Sequence, residues 1–163
     1  MLSECARATT AEESRFRIDY PNSAPRRIKI IALDKPAERI VRRLAGGDWR
    51  AATFMTAVKA SASANADWLG DLAGEALSLL DQMNAADQVV TLSTAGESAE
   101  QAAIIAEVCN TRHVMLTALV IAPAGAADAP LLRTMAPLRA HAAMLVVAKG
   151  EEYVEAMLTA LRA

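Results

Sequence analysis

Residues 87–106 read DQVVTLSTAGESAEQAAIIA and carry the clearest indication of the fold class. The apolar run that begins at Val89 predicts a buried strand, and the residues after Ser98 have the apolar spacing of a helix. Small and hydroxyl-bearing residues form a tight turn between the two elements. A strand, a tight turn and a helix in this order are typical of a site that holds an anion at a helix N-terminus.

The turn lacks the glycines that a phosphate loop uses to bring its backbone close to phosphate oxygens. Gly96 is its one glycine, and Glu97 follows at once with a negative charge that would repel a phosphate. The stretch therefore predicts a nucleotide-binding type of scaffold whose nucleotide chemistry has been altered or lost.

Outside this stretch, strands and helices alternate along the chain. The predicted strands are Ile28–Leu33, Ala51–Val58, a run beginning at Val89, His113–Ala122 and Ala142–Ala148. The predicted helices are one beginning at Pro36, one from Trp68 to about Asn84, Ser98–Asn110, one capped by Asp128, and Glu151–Arg162. Continuous apolar strands are typical of a sheet covered by helices on both faces. The pattern predicts an α/β, Rossmann-like, three-layer doubly wound fold with a mostly parallel five-stranded sheet.

Length and composition predict one domain and argue against nucleic-acid and membrane partners. Residues 1–27 are predicted to form an N-terminal arm, with residues 28–163 forming a single α/β domain. A net charge of −2 without a concentrated basic surface argues against a nucleic-acid partner. No apolar run approaches the roughly 18 residues of a membrane span, and the N-terminus does not resemble a signal peptide, so we expect a cytoplasmic protein without a membrane partner.

Two cysteines do not make a disulfide framework, and no spacing of ligating residues indicates a metal site. Cys109 lies in an apolar helical pattern and is interpreted as a small buried hydrophobic residue. His113 and His141 lie at the amino-terminal ends of predicted strands, opposite the expected ligand site, and are interpreted as surface histidines or as histidines with satisfied hydrogen bonds.

In a doubly wound sheet, ligands bind at the carboxyl ends of the strands. The strongest candidate there is the turn after the third strand, with Ser93, Thr94, Gly96, Glu97 and Ser98. Its hydroxyls, and the amides of Gly96–Ala99, are expected to point into the crevice. The alternative interpretation is that Thr94 or Ser98 simply caps the helix.

Asp34 and Lys35 follow the first strand at the same edge. An acid there could position a ribose, a metal or a catalytic water, or it could cap the helix that begins near Pro36. The remaining candidate ligand-binding residues are Ser61, Gly125 and Lys149, which lie in loops predicted to reach this edge.

The order of these segments resembles the FtsZ/tubulin GTPase domain. IKIIALDKPAERIVRRL resembles that family's first strand and helix, and VVTLSTAGESAEQAAIIAEVC resembles its Thr-Ala-Gly turn, phosphate loop and following helix. LTALVIAP and LLRTMAPLRAHAAMLVVAK are similar to its next strand, helix and strand. The similarity spans about residues 28–150.

The chain departs from that family at the loops that carry its chemistry. Asp34-Lys35-Pro36-Ala37 replaces the glycine-rich first loop, and the glycine-threonine signature is reduced to Gly96-Glu97-Ser98. The printed sequence ends one helix after Lys149, without the family's core helix, second domain and acidic loop. The resemblance therefore implies a degenerate FtsZ-like fold, with neither GTP hydrolysis nor filament formation expected.

Residues 93–100 also resemble the Ser-x-Ser-Gly-x-Thr-x-Glu turn of phosphosugar isomerase (SIS) domains. In that family, hydroxyls and helix amides hold a sugar phosphate. Here Ala95 replaces the second serine and Ser98 replaces the threonine.

Three functions follow from these patterns. We favour a non-catalytic FtsZ-like domain that acts by binding a protein partner or by forming a homo-oligomer. The alternative is a domain that binds a nucleotide or sugar phosphate at the turn of residues 93–98, with no other cofactor expected. The third is an enzyme that uses Asp34, Lys35 or Lys149 as an acid or base.

Overall fold

A computed structural model describes residues 25–58, 68–161 and 163. The strands are β1 (Ile28–Ala32), β2 (Ala52–Thr56), β3 (Leu69–Asp71), β4 (Ala76–Leu77), β5 (Gln88–Thr94), β6 (Met115–Ile121) and β7 (Met144–Ala148). The helices are α1 (Lys35–Leu44), α2 (Leu79–Asn84), α3 (Gln101–Arg112), α4 (Asp128–Arg139) and α5 (Glu152–Leu161).

The strands form one sheet in the order β4-β3-β2-β1-β5-β6-β7. The five strands from β2 to β7 in this order are mutually parallel, and the short β3 and β4 add an antiparallel edge. From β1 the chain moves to β2 on one side, and from β5 it moves to β6 and β7 on the other. The strand order therefore reverses between β1 and β5, which confirms the predicted doubly wound, mostly parallel sheet. The prediction of five strands is wrong, because β3 and β4 extend the sheet to seven.

Two apolar cores lie on the two faces of the sheet. Helices α1 and α5 cover one core, and α2, α3 and α4 cover the other. The central strands β1, β5 and β6 contribute to both, because alternate residues of a strand point to opposite faces. This double burial explains why these strands are continuous apolar runs rather than alternating ones.

The prediction of one helix from Trp68 to about Asn84 is wrong. This segment forms the β3–β4 hairpin and then the short helix α2. Gly74 adopts a φ of +100°, and the Asp71 carboxylate accepts a hydrogen bond of 2.8 Å from the Glu75 amide, so the chain turns back at this point. The Ser78 hydroxyl then caps α2.

Some predicted helix ends also differ from the structure. Asp128 is the first residue of α4 rather than its cap, and the residue before it makes no capping hydrogen bond. Pro137 does not shorten this helix below Arg139. His113 ends α3 in the left-handed conformation, with a φ of 56°. The sequence also predicts a polar loop at residues 61–67, with Asp67 as the cap of the helix that follows. This loop, and the predicted arm up to residue 24, lie outside the described residues.

Cys109 of α3 is buried in the core, as predicted, and its Sγ lies 3.8 Å from Met83 Sδ. Burial raises the pKa of its thiol to about 11, so the group stays protonated and poorly nucleophilic at neutral pH. Among the five helices in the described part of the chain, none combines the length and the apolar composition that crossing a bilayer requires.

Arg27, just before β1, forms an ion pair with Asp87, just before β5. The Arg27 guanidinium donates to Asp87 at 2.8 and 3.2 Å, and the Arg27 amide donates at 2.9 Å. These hydrogen bonds lower the pKa of Asp87 to about 2. The pKa of an aspartate in an unfolded chain is about 3.9. The Arg27–Asp87 ion pair therefore contributes its full stabilisation above that pH, and this contribution is lost as the pH falls through about 2.

We expect Arg27→Gln to raise the pKa of Asp87 toward its ordinary value, which a titration of the side-chain carboxyl by NMR would measure. Arg26→Gln is the matched control, since Arg26 acts on Asp87 only through its charge and is the weakest influence on it. Equal pKa values for Asp87 in wild type and Arg27→Gln would contradict this account.

Candidate functional site

The crevice at the switch point lies between the loop after β1 and the loop after β5. Asp34, the first residue of interest there, is 6% exposed and precedes α1. Its Oδ1 accepts a hydrogen bond from the Ala37 amide and its Oδ2 accepts one from the Thr94 amide, each at 2.7 Å. One carboxylate therefore caps α1 and joins the two loops.

Burial raises the pKa of Asp34, and the negative charge of Glu97 acts in the same direction. The hydrogen bonds from the Ala37 and Thr94 amides act in the opposite direction, because they stabilise the ionised form. A buried carboxyl with a raised pKa is a feature of acid–base sites. Here, however, each carboxylate oxygen is already bonded to an amide of the surrounding loops, which is the capping alternative that the sequence left open.

The turn after β5 satisfies its own amides. Ala95 donates to the carbonyl of Ile121 at 2.9 Å, and Glu97 donates to the carbonyl of Thr94 at 3.0 Å. The Gly96 amide donates to the Thr134 hydroxyl at 2.9 Å, and Gly96 adopts a φ of +97° that its lack of a Cβ permits. The prediction that the amides of Gly96 and Glu97 point into the crevice as free donors is therefore wrong.

Thr134 of α4 organises this turn and was missed by sequence reasoning. It is 1% exposed, accepts from the Gly96 amide, and donates to the Glu97 carbonyl at 2.8 Å. Its contact with the turn spans almost forty residues of sequence. The available signal was a threonine at a buried position of a helix whose neighbouring positions Leu131, Met135 and Leu138 are apolar.

Helix α3 begins later than predicted, at Gln101, and neither Thr94 nor Ser98 caps it. Glu100 is the cap residue, and its side chain makes no capping hydrogen bond. The turn through Gly96 displaces the helix start by three residues from the predicted Ser98. The exposed Glu97, Ser98 and Glu100 line a shallow groove whose other wall is Arg133 and Pro137 of α4.

The other candidate residues are spread along the edge. Ser93 is 1% exposed, and its Oγ has no hydrogen-bond partner within the described residues. Lys35 is exposed at the start of α1, and Gly125, with a φ of +85°, lies in the loop after β6. Lys149 follows β7, which β6 separates from β5, so it lies roughly 10 Å along the sheet from the turn. Ser61 lies outside the described residues.

The structure thus brings Asp34 and Thr94 together through a hydrogen bond, whereas neither Lys35 nor Lys149 forms an ion pair with Asp34. In residues 25–58, 68–161 and 163, no group of three His, Cys, Asp or Glu side chains is arranged to hold a metal ion. His113 and His141 are exposed at the opposite edge of the sheet, as predicted, where they line a groove beside Asn110 and Ala143.

Asp34→Ala should lower the free energy of unfolding by about 2–4 kcal/mol, because it leaves the amides of Ala37 and Thr94 without their acceptors. Asp34→Ser should cost roughly half as much, since a serine hydroxyl can still cap α1 but is too short to reach Thr94 as well. Urea denaturation at neutral pH measures both. Equal losses in the two variants would show that the link to Thr94 contributes nothing.

Thr134→Val should destabilise the protein by about 1–3 kcal/mol, because the Gly96 amide and Glu97 carbonyl lose their common partner while the side-chain volume stays the same. Thr134→Ser is the matched control, since it keeps the hydroxyl and removes one methyl group. Hydrogen exchange at the Gly96 amide should accelerate in the valine variant alone. Unchanged exchange there would contradict the proposed role of Thr134.

Comparison with known proteins adds no family to this description. No protein-family model matches the chain, and the search of curated proteins gives no match.

Proposed function

We propose that this chain is a non-catalytic α/β domain that acts by binding proteins, either a partner or further copies of itself. The observation that carries the proposal is the closure of the turn after β5. A helix N-terminus binds an anion through several main-chain amides that point at the ligand. Here the four consecutive amides from Thr94 to Glu97 are bonded to Asp34, Ile121, Thr134 and Thr94.

The charges around the turn support the same conclusion. Glu97 and Glu100 are exposed just before the first turn of α3. The positive end of the helix dipole favours acidic side chains there. Both residues line the groove at the start of α3, where their negative charges would repel a phosphate.

Exposed apolar side chains support a protein-binding role. Four large ones are 39–52% exposed on the last three elements of the chain, namely Leu132, Met144, Val147 and Tyr153. Apolar surface marks an interaction site in a soluble protein when such side chains lie together in one large patch. The amides from Thr94 to Glu97 are thus bonded within the protein, while large apolar side chains are exposed on another part of the surface.

The relationship to the FtsZ/tubulin family remains a prediction from the quoted segments. A doubly wound α/β fold is compatible with it, but this architecture carries many unrelated functions. We further propose a cytoplasmic setting, which the reduced, buried Cys109 supports.

A thermal-shift panel tests the proposal, with GTP, GDP, sugar phosphates and inorganic phosphate as ligands. We expect no change in Tm with any of them. A ligand at 100 times its Kd would add roughly 2.7 kcal/mol, which for a chain of this size corresponds to a rise of about 5–10 °C. Stabilisation by GTP together with hydrolysis above background would overturn the proposal.

The second candidate function, binding of a nucleotide or sugar phosphate, rests on Arg133. This cation lines the groove that faces residues 96–100 at the start of α3. If a phosphate ligand does raise Tm, Arg133→Ala should abolish the rise, and Ser98→Glu should reduce it. Arg112→Ala at the opposite end of α3 is the control. Loss of the rise in Arg133→Ala but not in the control would establish this function instead.

A further inference from the structure

We propose that two copies of this chain associate about a two-fold axis at the outer edge of β7. In this homodimer the two β7 strands pair antiparallel, and α4 and α5 pack beside their counterparts. The inference rests on the proposed function and names its partner, a second copy of the chain.

β7 is an open and unprotected edge. It pairs with β6 on one side and with no strand of the described chain on the other. Its sequence, MLVVA, contains no charged residue or proline. Natural sheets usually protect an edge with lysines, prolines, bulges or very short strands. The opposite edge here is protected in that way, because β4 has only two residues.

The apolar surface at this edge extends over both faces of the sheet. Met144 and Val147 point to opposite faces and are each 39% exposed. Leu132 of α4 is 52% exposed, and Tyr153 of α5 is 47% exposed. Helix α4 lies on one face and α5 on the other, so the strand edge and both flanking helices contribute apolar side chains.

The outer flank of α4 carries a stripe of four residues, Asp128, Leu132, Met135 and Arg139. Spacings of four, three and four residues place them on one side of a helix. Arg133 and Pro137 face the groove at α3, so the stripe lies on the flank away from α3, toward the edge. Asp128 and Arg139 are exposed, and neither forms an ion pair within the described residues.

This stripe is complementary to itself when it is reversed. Its midpoint lies between Leu132 and Met135, so an antiparallel copy places Leu132 opposite the second copy's Met135. The same operation places Asp128 opposite the second copy's Arg139, twice in the dimer. A parallel arrangement would instead bring like charges together. The charges therefore favour the antiparallel geometry that a two-fold axis through paired β7 strands imposes.

Helix α5 contributes exposed apolar surface on the other face of the sheet. Glu151 and Glu155 of the α5 region line a groove against α1, so Tyr153 and Met157 lie on the other flank, toward β7. Strands in a sheet are about 4.8 Å apart. A helix centred over β6 and β7 would therefore lie roughly 10 Å from its copy, which is a normal helix-packing distance.

Sedimentation velocity of the full chain between roughly 1 and 200 μM should show a concentration-dependent monomer–dimer equilibrium. Asp128→Arg and Arg139→Asp should each raise the dimer Kd at least about tenfold, because each creates two like-charge pairs. The double variant Asp128→Arg with Arg139→Asp should restore the wild-type Kd. Only an interface in which these two positions meet across the axis predicts that restoration.

Leu132→Glu should abolish the dimer, whereas Leu80→Glu should leave it unchanged. Leu80 is the matched control because it is 51% exposed and lies on α2, away from β7. Thermal unfolding of all variants separates loss of association from loss of folding. A dimer that Leu132→Glu does not weaken, or two single charge variants that the double variant does not rescue, would overturn the β7 interface.

A folded monomer at the highest concentration would also overturn the homodimer. The proposed protein-binding function then stands or falls on the nucleotide and phosphate panel, so the two failures are distinguishable. Stabilisation by a phosphate ligand in a strictly monomeric protein would overturn both. A silent panel with a monomeric chain would overturn the homodimer alone.

Discussion

The fold depends on a single carboxylate where the chain reverses its winding direction. At this switch point the backbone leaves β1 toward one face of the sheet and leaves β5 toward the other, so the two following loops diverge. Asp34 joins them through one hydrogen bond to its own helix and one across sixty residues to Thr94. Burial raises the pKa of the Asp34 carboxyl, because it disfavours the charged form. The hydrogen bonds from the Ala37 and Thr94 amides offset part of this effect.

The hydrogen bonds at the switch point also determine which main-chain donors the crevice can offer to a ligand. A switch point becomes a ligand site when its loops leave main-chain donors unpaired until the ligand arrives. In this chain Thr134 reaches from α4 and takes the one amide that glycine would otherwise present to a ligand. The main-chain amides from Thr94 to Glu97 thus have protein partners, whereas the buried hydroxyls of Ser93 and Thr94 have none within the described residues.

The sequence predicts the parts of the fold that local pattern determines and fails where distant contacts decide. The apolar runs of β1, β5 and β6 indicate their double burial directly. The segment 68–84 misleads, because Leu69 and Leu77 serve one core and Leu72 the other, which mimics a helical stripe. Asp34 as a helix cap follows from local sequence, whereas its bond to Thr94 does not. Thr134 is beyond prediction for the same reason, since its partners are contributed by another loop.

The two edges of the sheet differ in a way that bears on association. At one edge the chain turns back on itself through Gly74 and ends in a two-residue strand, which leaves little backbone for another sheet to pair with. At the other edge a five-residue apolar strand offers its full length. An edge of that kind on a lasting monomer would promote open-ended aggregation, because any copy could add to it. Pairing about a two-fold axis uses the edge once and closes it. Opposite charges at the two ends of α4, with apolar residues between them, favour that closed arrangement over a parallel stack.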